Sequence, residues 1–490
     1  MLEAQAKSLA SRAYQPPSSN LPESLRSIQW DEMQRIQFRR DHALWHGLDA
    51  PLQVRFFHLG LFNKTPVQMY EIVGGQAREF PFDPALFHYD GSGVDSSALP
   101  RTLGYAGFQL ALTSDLTHDI AAFQGASYFR AVGSEGQYGI SARGLAIDCG
   151  LPKPEEFPIF TKFWFERPAS QAKSLTVYAL LDSPSVAGAY RFVITPGEPL
   201  LIDIEATLYP RTTIEHIGIA PLTSMYLCGE NDRRLATDFR PEIHDSDGLA
   251  IHTGSDEWLW RPLLDPTAVR TSWFSDSNPR GFGLVQRDRN FDHYQDDGAF
   301  YNRRPCVWVE PRTVASKQHV FGKGAVQLVE IPTPDETFDN IVAFWQPADP
   351  PKKGDELRMA YRLSWGSTAP EPSNLATVRA TRTGLGGVVG QPRKYFSWRF
   401  AVDFAGGELD KLPANAVVEP VITASRGEIE ITSARPLVAI NGRRALFDLK
   451  PTDDSVQPIE LRLFLRSEGK ALSETWLYQW TPPPLQERKF

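Results

Sequence analysis

Two periodicities divide the chain. Over residues 2–13 and about 21–37, apolar side chains recur at helical spacing, with Leu25, Ile28 and Ile36 near one side, and this spacing predicts two helices. Beyond them the period falls to two. VRFFHLGLF (54–62), SLTVYALL (174–181), AYRFVITPG (189–197), LIDIEATLYPR (201–211) and IELRLFLRS (459–467) alternate apolar with polar residues between Gly, Pro, Asp or Asn, which predicts half-buried strands. In LIDIEATL the alternation places Ile202, Ile204, Ala206 and Leu208 on a core face and Asp203, Glu205 and Thr207 on the other.

Strands do not alternate regularly with long helices, which argues against a parallel α/β architecture. The expected fold class is all-β: a large N-terminal β-sandwich plus a smaller C-terminal immunoglobulin-like β-sandwich. The stretch GSTAPEPSN (366–374) is small, polar and proline-rich, and renewed strand patterning follows it in FSWRFAVDF (396–404) and EIEITSARP (428–436). The expected domains are therefore 1–368 and 369–490, the second without the disulfide of antibody domains. GLGGVVGQPRKY (384–395), near the start of the second, reads either as a mobile flap over a cleft or as a plain surface loop.

At 490 residues the chain is too long for one ordinary core. Its 42% hydrophobic and 22% charged residues are those of a globular protein, and its longest apolar stretches are strand-sized, so no segment predicts a membrane-spanning helix. A net charge of −8 without a basic run excludes an electrostatic grip on nucleic acid. Cys149, Cys228 and Cys306 are far apart and in no CxxC spacing, and read as small buried apolar groups. Walker, GxSxG and HExxH patterns are absent. His216, His244 and His252 share a region but no metal-site spacing, and HDSDG (244–248) lacks the closing glutamate of a calcium loop, so Asp245 and Asp247 read as part of an Asx turn. No metal or other cofactor is expected.

Between 223 and 345 carboxylates, arginines and aromatic rings are dense: HDSDG, EWLWRP (257–262), GFGLVQRDRNFDHYQDD (281–297), RRPCVWVEP (303–311), VEIPTPDET (329–337) and AFWQP (343–347). Sugar sites use this mixture, because flat rings cover the C–H faces of pyranoses while charged and amide groups take the hydroxyls. The competing explanation is that most of these rings are core.

Long strings in this chain resemble the osmoregulated periplasmic glucan biosynthesis proteins, the OpgG and OpgD (MdoG and MdoD) family. They include PFDPALF (81–87), FPIFTKFWFERP (157–168), YALLDSPSVAGAYRF (178–192), LTSMYLCGEN (222–231), DFRPEIHDSDGL (238–249), KGAVQLVEIPTPDET (323–337) and NIVAFWQP (340–347), and the wording QDDGAFYNRRP (295–305) is closer to the OpgD branch. The resemblance implies a periplasmic protein whose secretory leader is absent from this chain, with activity as an inverting endo-acting β-1,2-glucan hydrolase. In that role Asp335 is expected as general acid and Asp247 as base through a water or hydroxyl relay that includes Tyr301. Glu336 and Asp339 stand behind Asp335, and Asp245, Asp292, Asp296 and Asp297 behind Asp247. Arg287, Arg289 and Arg304 are expected at sugar hydroxyls, and Trp260, Trp308 and Trp345 as stacking platforms, with buried ion pairs and core rings as the alternative. Expected partners are β-1,2-glucan, membrane-bound glucan synthesis machinery and a second copy of the chain. Two other functions stay open: a non-catalytic glucan-binding scaffold, and a transglucosylase that installs branches.

Overall fold

The computed structural model describes residues 1–19, 21–232, 237–313, 320–372, 374–413 and 415–490. Among them the fold is all-β. The alternating segments form strands Leu52–Phe57, Leu175–Asp182, Val186–Thr195, Leu200–Pro210 and Ile459–Ser467. In Leu200–Pro210, Ile202, Ile204, Ala206 and Leu208 are buried, while Asp203 faces out and takes a bidentate pair from Arg362 at 2.7 and 2.8 Å. Thr207 also lies on the outer face, yet it is covered. The N-terminal helix Leu2–Ala10 packs on this strand and its neighbours, and Thr207 donates to Glu3 at 3.0 Å.

The single helix expected over 21–37 is instead two one-turn helices, Glu23–Arg26 and Trp30–Met33, followed by the short strand Gln37–Phe38. A reciprocal cap between Gln29 and Glu32 starts a new helix there, which breaks the first. The apolar spacing was nonetheless a true burial signal, since Leu25, Ile28 and Ile36 all enter the main core.

A ten-stranded and a fifteen-stranded sheet dominate. They meet through a ladder of rings. Phe108, Phe123 and Phe129 stack in sequence at 4.8 and 5.0 Å on the first sheet, and Phe163, Phe165 and Phe192 of the second meet them edge to face. Such edge-on contacts suit the aromatic quadrupole and make a sandwich interior that apolar alternation alone would leave unspecified.

Pairing is antiparallel nearly throughout. One of the parallel exceptions joins Trp258–Pro262 to Thr475–Trp480, with Leu259 opposite Thr475 and Trp260 opposite Trp476, so the larger sheet continues into the C-terminal strands Ile459–Ser467 and Glu419–Ala424. A separate four-stranded sheet of Thr377–Leu385, Trp398–Ala405, Gly442–Lys450 and Glu428–Leu437 completes the C-terminal sandwich. Its core holds Phe400, Phe447 and Trp476 together with Trp258, Trp260 and Trp308 from earlier in the chain. All three cysteines are free and buried. No helix among the described residues is long and apolar enough to cross a membrane.

Candidate active site

HDSDG is not an Asx turn but a link between two sheets: it joins the two-stranded ladder of Tyr226–Cys228 and Ile243–His244 to the larger sheet. Ile243–His244 is a short strand, Gly248–His252 is the next, and Asp247 between them gives its N–H to Val285 while its carbonyl accepts from Leu263. Gly248 is required by packing, since a Cβ there would lie 2.3 Å from the Trp260 ring. The Asp247 carboxyl is held through one oxygen only. Its Oδ2 accepts the N–H groups of Arg287 and Asp288, both at 3.0 Å, whereas its buried Oδ1 has no partner.

Asp247 lines a cavity of about 20 Å³ together with Glu230, His244, Trp260, Arg287 and Thr381, which is space for about one water. Burial pushes the Asp247 carboxyl up to about 6, against the opposing pull of His244 and of the Asp288 N–H. Beside it sits a carboxyl pair, Glu230 and Glu242. Glu242 is buried, accepts from His244 Nε2 at 3.2 Å and shares a hydrogen bond with Glu230; burial raises it, but these bonds outweigh burial and leave it lowered. Glu230 is raised well above the carboxylate range, by burial first and by the charge of Glu242 second, and it accepts the Thr381 N–H at 2.9 Å.

A band of charge leads away from this cavity. Gln286 Nε2 donates to the carbonyls of both His244 and Tyr301 at 3.0 Å, tying the Tyr301 turn to the HDSDG strand. Arg304 lies over the Tyr301 ring, 4.3 Å from its centre, and pairs with Asp245, whose carboxyl burial pushes up to about 6 despite that guanidinium. The Tyr301 hydroxyl donates to Glu336 Oε2 at 2.5 Å. Arg240 then gathers Glu336, Asp238 and Asp296, with contacts to Glu336 at 3.0 and 3.1 Å and to Asp296 at 2.8 Å.

Asp335 is the residue before Glu336, on the loop between strands Lys323–Glu330 and Ile341–Pro347. It is exposed. Its Oδ1 accepts the Thr337 N–H at 2.8 Å and its carbonyl accepts from Thr333, and the bonds to Thr337 hold the carboxyl below its ordinary range. Asp339 is on the same loop and exposed as a whole residue, while burial pushes its carboxyl up against the pull of Arg143 and Thr223; Asp292 and Asp297 are exposed.

Several expected sugar contacts prove to be structural. Arg287 has a side chain only 5% exposed; it forms a bidentate pair with fully buried Glu474, donates to the Val378 carbonyl and lies 3.7 Å over the Trp260 ring. Arg289 spends its guanidinium on the carbonyls of Asn302, Arg304 and Ser367. Trp260 and Trp308 are buried in the second core, and Trp345 is fully buried with its N–H on the Val320 carbonyl. These rings are core, not platforms: alternation along a strand marks which side chains share a face but leaves open whether a second layer covers it. Of the expected arginines only Arg304 stands in the charged band.

Sequence reasoning did not single out Arg240, Glu230 or Glu242, although all three fall inside the strings LTSMYLCGEN and DFRPEIHDSDGL. Among the described residues Glu242, Asp288 and His293 bring one ligating atom each within 4.8 Å of one another. As folded, His293 bonds Asp288 and Glu242 bonds His244. His216 and His252 lie apart, on Gln327 and Asp256.

Comparison with known proteins gives one consistent answer. Residues 1–480 match the family model described as periplasmic glucan biosynthesis protein, MdoG. The chain is 59% identical over 490 residues to the glucans biosynthesis protein D of Xanthomonas campestris pv. campestris (strain B100), covering 100% of this chain and 91% of that protein. It is likewise 59% identical over 483 residues to the protein of that name from Stenotrophomonas maltophilia (strain R551-3), covering 99% and 89%. The glucans biosynthesis protein D 1 of Ralstonia nicotianae is 59% identical over 495 residues, covering 98% and 91%.

Proposed function

The chain belongs to the periplasmic glucan biosynthesis family MdoG, and from that premise we propose that it is an inverting, endo-acting β-1,2-glucan hydrolase of the periplasm. The observation that carries the reading is the half-partnered Asp247: a carboxyl pushed up to about 6, with one oxygen held by two N–H groups and the other buried without a partner beside a small cavity, is poised to accept a proton near neutral pH.

In this reading Asp335 supplies the proton to the glycosidic oxygen, the C1–O bond breaks, and water attacks C1 from the opposite face. The water's proton passes through a relay to Asp247. Tyr301 belongs to that relay, with its backbone joined to His244 through Gln286 and its hydroxyl resting on Glu336 until the loop adjusts over substrate. Asp335 carries its proton only when glucan covers the loop. In the free chain the bonds from Thr337 favour the carboxylate; a sugar laid over it removes water, which raises a carboxyl pKa.

The test is incubation of the purified protein with linear β-1,2-glucan, followed by product sizing and by NMR of the new reducing ends. Shorter chains with inverted anomers are expected, and Asp335→Asn is expected to lose cleavage by about 100- to 10,000-fold while still binding glucan. Undiminished cleavage by that variant removes Asp335 from its role. Binding without products in the parent protein leaves a glucan-binding scaffold, and new linkages in the products reassign the chain as a transglucosylase.

A further inference from the structure

The tryptophans that composition suggested as sugar platforms are interior, yet two other rings stand in the open beside the charged band. Phe239 is 79% exposed and Phe338 is 73% exposed. A phenylalanine has no polar edge with which to satisfy water, and isolated exposed apolar residues are ordinary on any protein surface. These two are not isolated from each other. Phe239 precedes Arg240, whose guanidinium lies 6.0 Å from its ring; Arg240 grips Glu336 through two contacts, and Glu336 is two residues before Phe338. One salt bridge therefore fastens together the two loops that carry the rings, and the same Glu336 takes the Tyr301 hydroxyl.

We propose that Phe239 and Phe338 are stacking platforms for glucose units of a β-linked glucan lying along the Arg240–Glu336–Tyr301 band. The inference rests on the glucanase reading and adds to it the residues that hold the polymer. A neutral polysaccharide fits the chemistry. Arg240 is saturated by Asp238, Asp296 and Glu336, so it offers no free charge to an anion, whereas the exposed rings offer flat apolar faces and the neighbouring carboxylates accept from sugar hydroxyls. The clamp ties the two loops to each other, so the rings keep their relation when the loop adjusts over substrate, which lowers the ordering cost of binding a flexible chain.

The experiment compares the parent protein with Phe239→Ala, Phe338→Ala and the double variant, using linear β-1,2-glucan of defined length as probe. Because both rings are exposed, the variants are expected to keep the parent circular dichroism and melting temperature. Each single change is expected to raise KM about tenfold, with kcat within about twofold, as follows from losing one ring contact. Phe338→Trp is expected to restore parent KM, and Phe338→Leu, apolar but without a flat face, is not. Parent-like KM in the double variant overturns the inference and leaves the glucanase reading standing, and so does a loss confined to kcat. A parent protein that neither binds nor cleaves the glucan overturns the glucanase reading, and the inference with it.

Discussion

Asp245 and Asp247 sit two positions apart in HDSDG and are both pushed up to about 6 by burial, yet they differ in what they can do. Asp245 is neutralised by Arg304, so its carboxylate is a structural anion; Asp247 has an oxygen without a partner, so its carboxylate can take a proton. The sign of the consequence for stability follows from the direction of the shift. The folded chain holds the Asp247 proton more tightly than the unfolded chain, so the group costs nothing below the unfolded pKa near 4. The cost grows as pH rises to about 6 and is constant above, on the order of 2–3 kcal/mol. Asp247→Asn keeps an acceptor for the Arg287 and Asp288 N–H groups. It is expected to raise the urea midpoint at about pH 7, to leave it unchanged at about pH 3.5, and to abolish hydrolysis. Equal midpoints at both pH values sink the assignment. On the proposed glucanase reading, kcat/KM of the parent protein is expected to fall as pH drops through about 6, where Asp247 becomes protonated.

Strands were more legible than the pieces between them. An alternating segment such as Leu200–Pro210 is specified by its own residues, because each apolar side chain independently prefers the covered face. The stretch 21–37 was not, since a local cap at Gln29 competes with the helical spacing around it. A buried ion pair decides the loop that carries Asp335. Glu330, fully buried at the end of Lys323–Glu330, accepts from Arg261 at 3.0 Å and from the Leu264 N–H at 2.8 Å. Glu330→Gln strands the Arg261 charge in the interior, and the loss is expected to be about 3–5 kcal/mol. Denaturant unfolding measures it; a change under about 1 kcal/mol means that water replaces the lost partner. The same variant is expected to lower glucan cleavage, because the loop begins at the next residue.

At the scale of the molecule, the larger sheet passes from Trp258–Pro262 into Thr475–Trp480, and the second core draws rings from both sides of the 366–374 stretch. We propose 1–368 and 369–490 as two units in chain order that fold together. Arg287 reaching Glu474, and Glu230 accepting from Thr381, bind the HDSDG region to the C-terminal strands. A chain ended after residue 368 leaves Trp258, Trp260 and Trp308 uncovered. It is expected to bind a hydrophobic dye strongly and to lose the cooperative melting transition, whereas the full chain melts in a single step. A truncated chain that melts cooperatively at the parent temperature contradicts this coupling.

The periodicity of the chain by itself determined an all-β fold and the core face of its strands, since those depend on short-range alternation, and its long characteristic strings determined the family. It did not determine which arginines and tryptophans are free. Arg287 and Trp260 look like sugar contacts until Glu474, more than 180 residues away, is seen to pair with the one and the C-terminal sandwich to cover the other. The unpaired oxygen of Asp247, the clamp of Arg240 on Glu336 and the exposure of Phe239 and Phe338 were decided by tertiary structure alone. Burial and partnership are properties of what lies across a sheet, and that neighbour comes from a distant part of the chain.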